Sequence, residues 1–170
     1  MALAKKSKLT LAGLVGAATI AIVVPFVQEH EGDIPKAYFD VVGVPTFCFG
    51  STEGVTADDV LAGKTYTAEE CRDSLESELV KHAQAVLRCT PSLRDHPNQL
   101  SAAISLAYNI GSSGYCGSTV AKRFNSGDWP GACEAFKMWN RAGGRVVQGL
   151  VNRRNDEARL CLRDIPEDKR

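Results

Sequence analysis

The sequence predicts a mostly helical α+β fold, and three features of the chain support this class. A segment rich in Val, Phe and Gly over residues 37–55 has glycines where a β-hairpin turns. After it, Thr67-Ala-Glu-Glu70 is a capping box, which opens a helix expected to run to about Leu87. Further capped helical segments follow to about residue 162. We therefore expect a small hairpin unit followed by a series of helices, with an apolar helix before them.

Composition limits the possible partners. The chain has 170 residues, enough for one domain or for one domain in two lobes. Its 20 Lys and Arg residues equal its 20 Asp and Glu residues in number, and the distribution of charge does not indicate a nucleic-acid binder. We expect a monomer that has no nucleic-acid partner and no cofactor.

The N-terminus combines a basic start with a long apolar run. Residues 1–8 contain three lysines and no acid, whereas residues 9–27 carry no charge. As a helix, the apolar run would be about 30 Å long, which is the thickness of the hydrocarbon core of a membrane. Positive charge before the run and mixed charge after it predict that the N-terminus stays inside and that the rest of the chain is translocated.

Three interpretations of residues 9–27 remain open. A cleaved signal peptide requires a small-x-small site, and the sequence VPFVQEH at 24–30 does not offer one. A permanent anchor favours Leu, Ile and Phe, whereas eight of these 19 positions are Ala, Gly or Thr. The composition favours the third interpretation, a segment that inserts weakly into the bilayer and later leaves it.

The chain contains an even number of cysteines, which are Cys48, Cys71, Cys89, Cys116, Cys133 and Cys161. None lies in a CxxC motif and no paired histidines accompany them, so we expect no metal site. Six cysteines after an apolar N-terminal segment indicate disulfides in an oxidising compartment, with buried free thiols as the alternative. The spacing alone does not choose among the possible pairings.

Two carboxylates and a hydroxyl follow the apolar run at short spacing. Asp40 lies nine positions after Glu31, and Thr46 follows six positions later. Cleavage of a glycosidic bond needs one carboxylic acid to protonate the leaving oxygen and a second carboxylate at the opposite face of the sugar. A carboxylate that ends a helix and another on the next strand meet this need if they face each other across a cleft. The spacing alone is a weak signal, because most such carboxylates are solvated surface charges.

The motifs around these residues resemble those of the T4-type phage lysozymes. Glu31, Asp40 and Thr46 match the family pattern E-x8-D-x5-T, and the runs YFDVVGVPT, GKTYTAEEC, AYNIG and NSGDW match as well. The resemblance covers roughly residues 26–162, and the N-terminal segment is similar to that of the signal-arrest-release (SAR) endolysins of lambdoid phages. In one departure, Ser51-Thr52 follows Gly50 where the family usually has Gly-His-Thr, which puts the local packing in question.

The resemblance implies a two-lobed T4-lysozyme-like fold with a small β-hairpin lobe, a long connecting helix and a helical C-terminal lobe. It divides the chain into a basic cytoplasmic segment (1–8), a releasable transmembrane segment (9–27) and a muramidase domain (28–170). Within that domain, the hairpin lobe covers about 28–66, the connecting helix about 67–88 and the C-terminal lobe about 89–165.

The resemblance also implies an endolysin that hydrolyses the β-1,4 bond between N-acetylmuramic acid and N-acetylglucosamine in peptidoglycan, with inversion. Glu31 is then the general acid, while Asp40 and Thr46 hold the attacking water. The implied substrate-binding residues are Tyr38, Asn109 and Arg154, and the favoured disulfides are 48–71, 89–116 and 133–161.

The implied location is the inner membrane of the host. The secretion machinery of the host exports the chain, residues 9–27 tether it with the catalytic domain facing the periplasm, and release into the periplasm activates it. Two competing functions are a lytic transglycosylase, which cleaves the same bond with a single acid, and a catalytically inactive membrane-anchored protein that binds the cell wall.

Overall fold

The computed structural model describes residues 10–32, 34–40 and 42–170. The elements in chain order are α1 (Leu11–Glu31), β1 (Ile34–Phe39), β2 (Pro45–Cys48), α2 (Ala57–Leu61), α3 (Ala68–Cys89), α4 (Pro97–Ile110), α5 (Ser112–Gly117), α6 (Thr119–Ser126), α7 (Trp129–Ala135), β3 (Arg141–Ala142), β4 (Arg145–Val146) and α8 (Gln148–Cys161). Short 3-10 turns follow α3 and α7 and lie near the C-terminus, at Pro91–Leu93, Phe136–Met138 and Glu167–Lys169. The predicted mostly helical α+β class is confirmed.

The apolar N-terminal helix is part of the folded core. Helix α1 packs mainly against α4 and α3, and its buried positions recur every fourth residue at Leu11, Val15, Thr19, Val23 and Val27. A spacing of four keeps these side chains on one face of the helix. The opposite, exposed face consists mostly of small residues, which are Ala12, Gly13, Gly16, Ala17, Ala18 and Ala21. Small side chains leave little apolar surface in contact with water.

Helix α1 is interrupted at Gly16, where φ is 77° and ψ is 164°. This combination is essentially restricted to glycine, since a Cβ clashes with the backbone there. Among the described residues, α1 is also the one helix that is long and apolar enough to cross a membrane, with a mean hydropathy of 2.0. The proposed boundary at residue 27 lies inside this element, so the division of the chain there stays a prediction about function.

The hairpin lobe has the antiparallel pairing that the sequence predicts. Strand β1 pairs with β2, with Tyr38 opposite Thr46, and an irregularity interrupts the register between Ile34 and Tyr38. A further bridge joins Phe47 to Ser51 through two backbone hydrogen bonds of 3.0 Å and closes a turn over residues 48–50. We call these three residues the 48–50 turn.

The connecting helix α3 begins at the predicted capping box. The Thr67 amide donates to Glu70 Oε2 at 2.8 Å, and the Glu70 amide donates to Thr67 Oγ1 at 3.1 Å. The helix ends at Cys89, two residues beyond the expected end. It joins the hairpin lobe to the C-terminal lobe, where α4 is the central, almost fully buried helix in contact with α1, α3, α5 and α8.

Three disulfides link neighbouring elements, and their pairs are those that the resemblance favours. Cys48–Cys71 joins the 48–50 turn to α3, Cys89–Cys116 joins α3 to α5, and Cys133–Cys161 joins α7 to α8. Each closes a loop of 23 to 28 residues. In the chain-entropy model, such a loop contributes about 3 kcal/mol to the free energy of unfolding.

Candidate active site

The carboxylate of Glu31 lies where the two lobes meet. Glu31 is the last residue of α1, and Gly32, with φ of 73°, redirects the chain into the hairpin. Arg153 Nη1 donates to Glu31 Oε1 at 2.5 Å, while a Cβ placed on Gly50 would lie 3.8 Å from Glu31 Oε2. The side chain is 20% exposed. One carboxylate oxygen is thus held by a guanidinium group and the other faces the hairpin lobe.

A buried network on α4 and α8 fixes Arg153. Its guanidinium contacts Glu157 Oε1 at 3.3 Å and donates to the Ser105 carbonyl at 3.3 Å. Ser105 Oγ in turn donates to Glu157 Oε1 at 2.7 Å. Burial raises the pKa of Glu157, and the two neighbouring arginines, Arg154 and Arg153, oppose that rise by favouring the carboxylate. Because Arg153 is bonded to both Glu157 and Ser105, which are bonded to each other, its guanidinium has little freedom to leave Glu31.

Arg154, for which the resemblance implies substrate binding, is buried between Glu157 and Asn109 in this structure. Its side chain is 0% exposed, so it has no surface with which to contact a substrate in this conformation. It is paired with Glu157 at 2.7 Å, and its Nη1 donates to Asn109 Oδ1 at 3.0 Å. Asn109 is exposed at the end of α4. Arg154 therefore orients Asn109, and the arginine that contacts Glu31 is Arg153, which the sequence did not single out over its neighbour.

Asp40 shapes the turn between β1 and β2. Its Oδ1 accepts hydrogen bonds from the backbone amides of Val42 at 2.9 Å and Val44 at 2.8 Å. Among the described residues, no hydrogen bond to Oδ2 is found. Asp40 thus stabilises the turn, and it keeps one carboxylate oxygen available for a second role.

Thr46 and Tyr38 lie opposite each other on the two strands of the hairpin. The side chain of Thr46 is buried rather than solvent-facing, and its Oγ1 donates to the Val44 carbonyl at 2.9 Å. The pKa of Tyr38 is raised by burial and then by the negative charges of Asp40 and Glu31. Tyr38 therefore lies close enough to both carboxylates for their charges to act on it, on the strand opposite Thr46.

The missing family histidine is replaced by a hydroxyl pair. Ser51 is fully buried, and Ser74 Oγ on α3 donates to its Oγ at 2.8 Å. The position thus keeps a polar link between the hairpin lobe and the connecting helix. Among the described residues, no group of three or more His, Cys, Asp or Glu side chains is arranged to hold a metal ion.

Comparison with known sequences shows extensive similarity to phage lysozymes. The family model described as phage lysozyme matches residues 28–157. Two relatives named SAR-endolysin, from Bacteriophage PS119 and Enterobacteria phage P21, are 36% and 35% identical over 153 residues. These alignments cover 88% of this chain and 87% and 88% of the two relatives.

Solved structures of phage endolysins have the same fold. The endolysin from Escherichia coli O157:H7 phage FAHEc1 matches with a TM-score of 0.75 and 27% identity, over 94% of this chain and 100% of that one. A P22 lysozyme variant matches with a TM-score of 0.68 and 35% identity, over 82% of this chain and 94% of its own.

Proposed function

Because this chain belongs to the phage lysozyme family and is an endolysin muramidase, we propose that it cleaves the β-1,4 bond between N-acetylmuramic acid and N-acetylglucosamine in peptidoglycan with inversion. The observation that carries the proposal is the position of Glu31, held by Arg153 at the junction of the lobes. The hairpin that carries Asp40 and Thr46 follows directly.

In this mechanism, Glu31 donates its proton to the leaving glycosidic oxygen and becomes negatively charged. Arg153, whose guanidinium already contacts Oε1, stabilises the charge that develops there. The contact is stronger in the transition state than with the neutral acid, and only such a difference accelerates the chemical step. The buried network around Glu157 keeps the guanidinium in place during the reaction.

Asp40 and Thr46 hold and activate the attacking water. Asp40 Oδ1 is occupied by two backbone amides, so Oδ2 is the oxygen that accepts a proton from the water. Thr46 Oγ1 donates its own proton to the Val44 carbonyl, which leaves its lone pairs to accept the second hydrogen bond of the water. The hydroxide bonds to the anomeric carbon as the leaving oxygen takes the proton of Glu31.

We further propose that residues 9–27 tether the protein, inactive, to the inner membrane of the host, with residues 28–170 exported to the periplasm. In this structure, residues 11–27 form most of α1, which packs against α3 and α4. While they lie in the bilayer, this packing is absent, and Glu31 lies about 6 Å from the membrane boundary if the helix continues. On release, α1 packs into the core and brings Glu31 to its position in the site, so release assembles the site.

The test is analysis of the products formed by the purified full chain on isolated peptidoglycan. Truncation at residue 28 is unsuitable, because it removes the buried face of α1. We expect new reducing ends that appear first as the α-anomer. A 1,6-anhydro end would instead identify a transglycosylase, first products of the β-anomer would contradict inversion, and binding without any product would identify a wall-binding protein.

A further inference from the structure

One hydroxyl joins the hairpin lobe to the central helix beside Glu31. Tyr108 OH on α4 donates to the Phe49 carbonyl in the 48–50 turn at 2.9 Å. The next residue in the turn is Gly50, which faces Glu31 Oε2. A contact to the Phe49 carbonyl therefore fixes the part of the hairpin lobe that borders the acid.

The 48–50 turn is held from two directions. The disulfide Cys48–Cys71 and the hydrogen bond between Ser51 and Ser74 tie it and its flanking residue to α3. Tyr108 ties it to α4 instead. The contact with α4 therefore restrains the turn in a direction that the two attachments to α3 do not cover.

The same face of α4 also holds the partner of Glu31. Ser105 lies three residues before Tyr108, and residues at this spacing are neighbours on a helix surface. The Ser105 carbonyl and hydroxyl both accept hydrogen bonds from Arg153 Nη2 at 3.3 Å. Helix α4 thus sets two positions at once, the guanidinium at Glu31 Oε1 and the turn at Oε2. Their separation determines the space in which the acid can lie.

Tyr108 has one proton and two neighbouring acceptors. Besides the Phe49 carbonyl, the second is the carboxyl group of Glu78 on α3. Glu78 lies four residues after Ser74, which bonds Ser51. It also lies four residues before His82, whose ring lies 5.3 Å from the Tyr108 ring. This spacing places Glu78 on the face of α3 that is directed at both hydroxyls. If Glu78 is ionised, it competes with Phe49 for the Tyr108 proton. If Glu78 is neutral, it donates to the Tyr108 oxygen, and Tyr108 donates to the Phe49 carbonyl. Each of these three groups then has a hydrogen-bond partner.

We propose that Tyr108 is a positioning residue of the muramidase site, which holds the 48–50 turn over Glu31, and that this contact is complete only while Glu78 is neutral. The proposal rests on the proposed function. Tyr108 acts through Phe49 and Gly50 and does not need to contact the substrate.

The charges around the pair are consistent with a titrating Glu78. Burial raises the pKa of Glu78, and the hydroxyls of Ser51 and Tyr108 oppose this rise by favouring the carboxylate. Among the charged neighbours, Lys81 on α3 also opposes the rise, while Glu53 in the hairpin lobe adds to it. Lys81 and Glu53 contact each other directly, which offsets part of both effects.

The groups facing Tyr108 keep its hydroxyl protonated. Burial is the main cause of its raised pKa, followed by the charges of Glu78 and Glu31, while Arg153 opposes the rise. The ring of His82 on α3 lies 5.3 Å from the Tyr108 ring, and burial lowers the pKa of that imidazole. Tyr108 is therefore a hydrogen-bond donor throughout the pH range in which Glu78 titrates.

The first experiment compares Tyr108→Phe with a matched control, Tyr115→Phe. Tyr115 is also a buried tyrosine, and its hydroxyl is bonded to Thr90 Oγ1 at 2.8 Å, away from Glu31. We expect Tyr108→Phe to lower kcat about tenfold or more with little change in KM, because a small displacement of reacting groups costs up to about 100-fold. Tyr115→Phe should lower Tm but leave kcat unchanged. Equal kcat in the two variants would overturn the proposal.

The second experiment tests the role of Glu78 with Glu78→Gln. The amide of the glutamine donates to the Tyr108 oxygen at every pH, as the neutral acid does. The ratio of kcat for Glu78→Gln to kcat for the wild type should therefore be near one at acidic pH and rise as the pH rises. In the Tyr108→Phe background, Glu78→Gln should change kcat at no pH. An effect of equal size in that background would overturn the coupling.

A third measurement does not depend on activity. Amide hydrogen exchange at Ser51, whose amide is bonded to the Phe47 carbonyl across the turn, should be faster in Tyr108→Phe and unchanged in Tyr115→Phe. Unchanged exchange in both variants would overturn the proposed role of Tyr108, whether or not the protein hydrolyses peptidoglycan. A wild type without products but with this difference in exchange would instead contradict the proposed function alone.

Discussion

At the scale of single residues, Glu31 and Asp40 have different surroundings that suit different roles. Glu31 is held by a buried arginine, whereas both described partners of Asp40 are backbone amides of its own turn. A fixed guanidinium stabilises a charge that appears during the reaction, and a turn leaves one carboxylate oxygen available to water. The asymmetry supports an acid at position 31 and a base at position 40.

Glu31→Gln should abolish hydrolysis of peptidoglycan. The substitution keeps the shape of the side chain and removes the proton donor, and loss of a positioned acid lowers rates about 10²- to 10⁴-fold. The measurement is the rate of turbidity loss of permeabilised cells, with circular dichroism to verify folding. Glu29→Gln, an exposed residue of the same helix, is the matched control and should retain activity. A folded, active Glu31→Gln protein would contradict the assignment of Glu31 as the general acid.

Asp40→Asn separates the two roles of Asp40. The amide oxygen of asparagine still accepts from the Val42 and Val44 amides, so the turn should keep its shape. The charge that takes a proton from water is lost, and the lysis rate should fall by at least about 100-fold. Thermal unfolding should change little in Asp40→Asn and more in Asp40→Ala, which loses both hydrogen bonds. If Asp40→Asn lyses cells at the wild-type rate, Asp40 only forms the turn.

At the scale of secondary-structure elements, α1 fits two environments. Its larger apolar side chains form the buried face in this fold, and its small residues form the exposed face. The buried face extends to Leu11, at the start of the helix, and therefore includes most of the apolar run. In the proposed release from the bilayer, packing of this face against the core offsets the loss of lipid contact.

Leucine at Gly13, Ala17 and Ala18 should keep the protein in the membrane. All three positions are exposed in this fold, so the apolar area of the new side chains can be covered only by lipid. At about 25 cal/mol per Å² of buried apolar area, the three leucines stabilise the membrane-inserted state by several kcal/mol in total. We expect the variant to remain in the membrane fraction and to fail to lyse cells. Serine at the same positions is the control and should not increase retention. If the leucine variant stays fully membrane-bound and still lyses cells at the same time as the wild type, tethering does not inhibit the enzyme.

Gly16→Ala should delay lysis more than Gly13→Ala. At Gly16, alanine must adopt a φ of 77°, at a cost of about 1–3 kcal/mol to the released fold. A continuous membrane helix instead gains from the same change, since alanine is the better helix former. Gly13 is helical, and its new Cβ would lie 3.4 Å from the nearest atom, Thr10 Oγ1, so it controls for the added methyl group. Equal lysis times for the two variants would show that the kink at Gly16 plays no part in release.

At the scale of the whole molecule, stability should depend on pH through the lobe interface. The pKa of Glu78 is raised by burial in the fold above its ordinary value of 4.5, so the folded state binds this proton more tightly than the unfolded state does. Its contribution to the free energy of unfolding therefore falls as the pH rises from about 4.5 through the folded pKa, and it is constant above that.

Glu78→Gln should remove this loss of stability at higher pH. We expect its Tm to equal that of the wild type near pH 4 and to exceed it increasingly as the pH rises above about 4.5, until the pH passes the folded pKa of Glu78. Glu69→Gln, at an exposed position of the same helix, controls for the removal of one negative charge. A difference in Tm between Glu78→Gln and the wild type that is the same at every pH would show that Glu78 does not titrate between these limits.

Much of this protein follows from short-range patterns in the chain. The capping box at Thr67 and Glu70 starts α3, the glycine-rich segment folds back as a hairpin, and both depend on residues a few positions apart. The pattern of Glu31, Asp40 and Thr46 carried the family resemblance for the same reason, since all three lie within sixteen residues. The apolar run also indicated a membrane segment, because hydropathy is a property of composition.

Tertiary structure decided which side chains meet. The contact of Arg153 with Glu31 joins residues 122 positions apart, and that of Tyr108 with Phe49 joins residues 59 apart. Adjacent arginines on α8 look equivalent in sequence, yet the rotation of the helix directs Arg153 to Glu31 and Arg154 to Asn109. The buried face of α1 was likewise decided by α3 and α4, because an apolar run has no preferred side until other helices cover one of them.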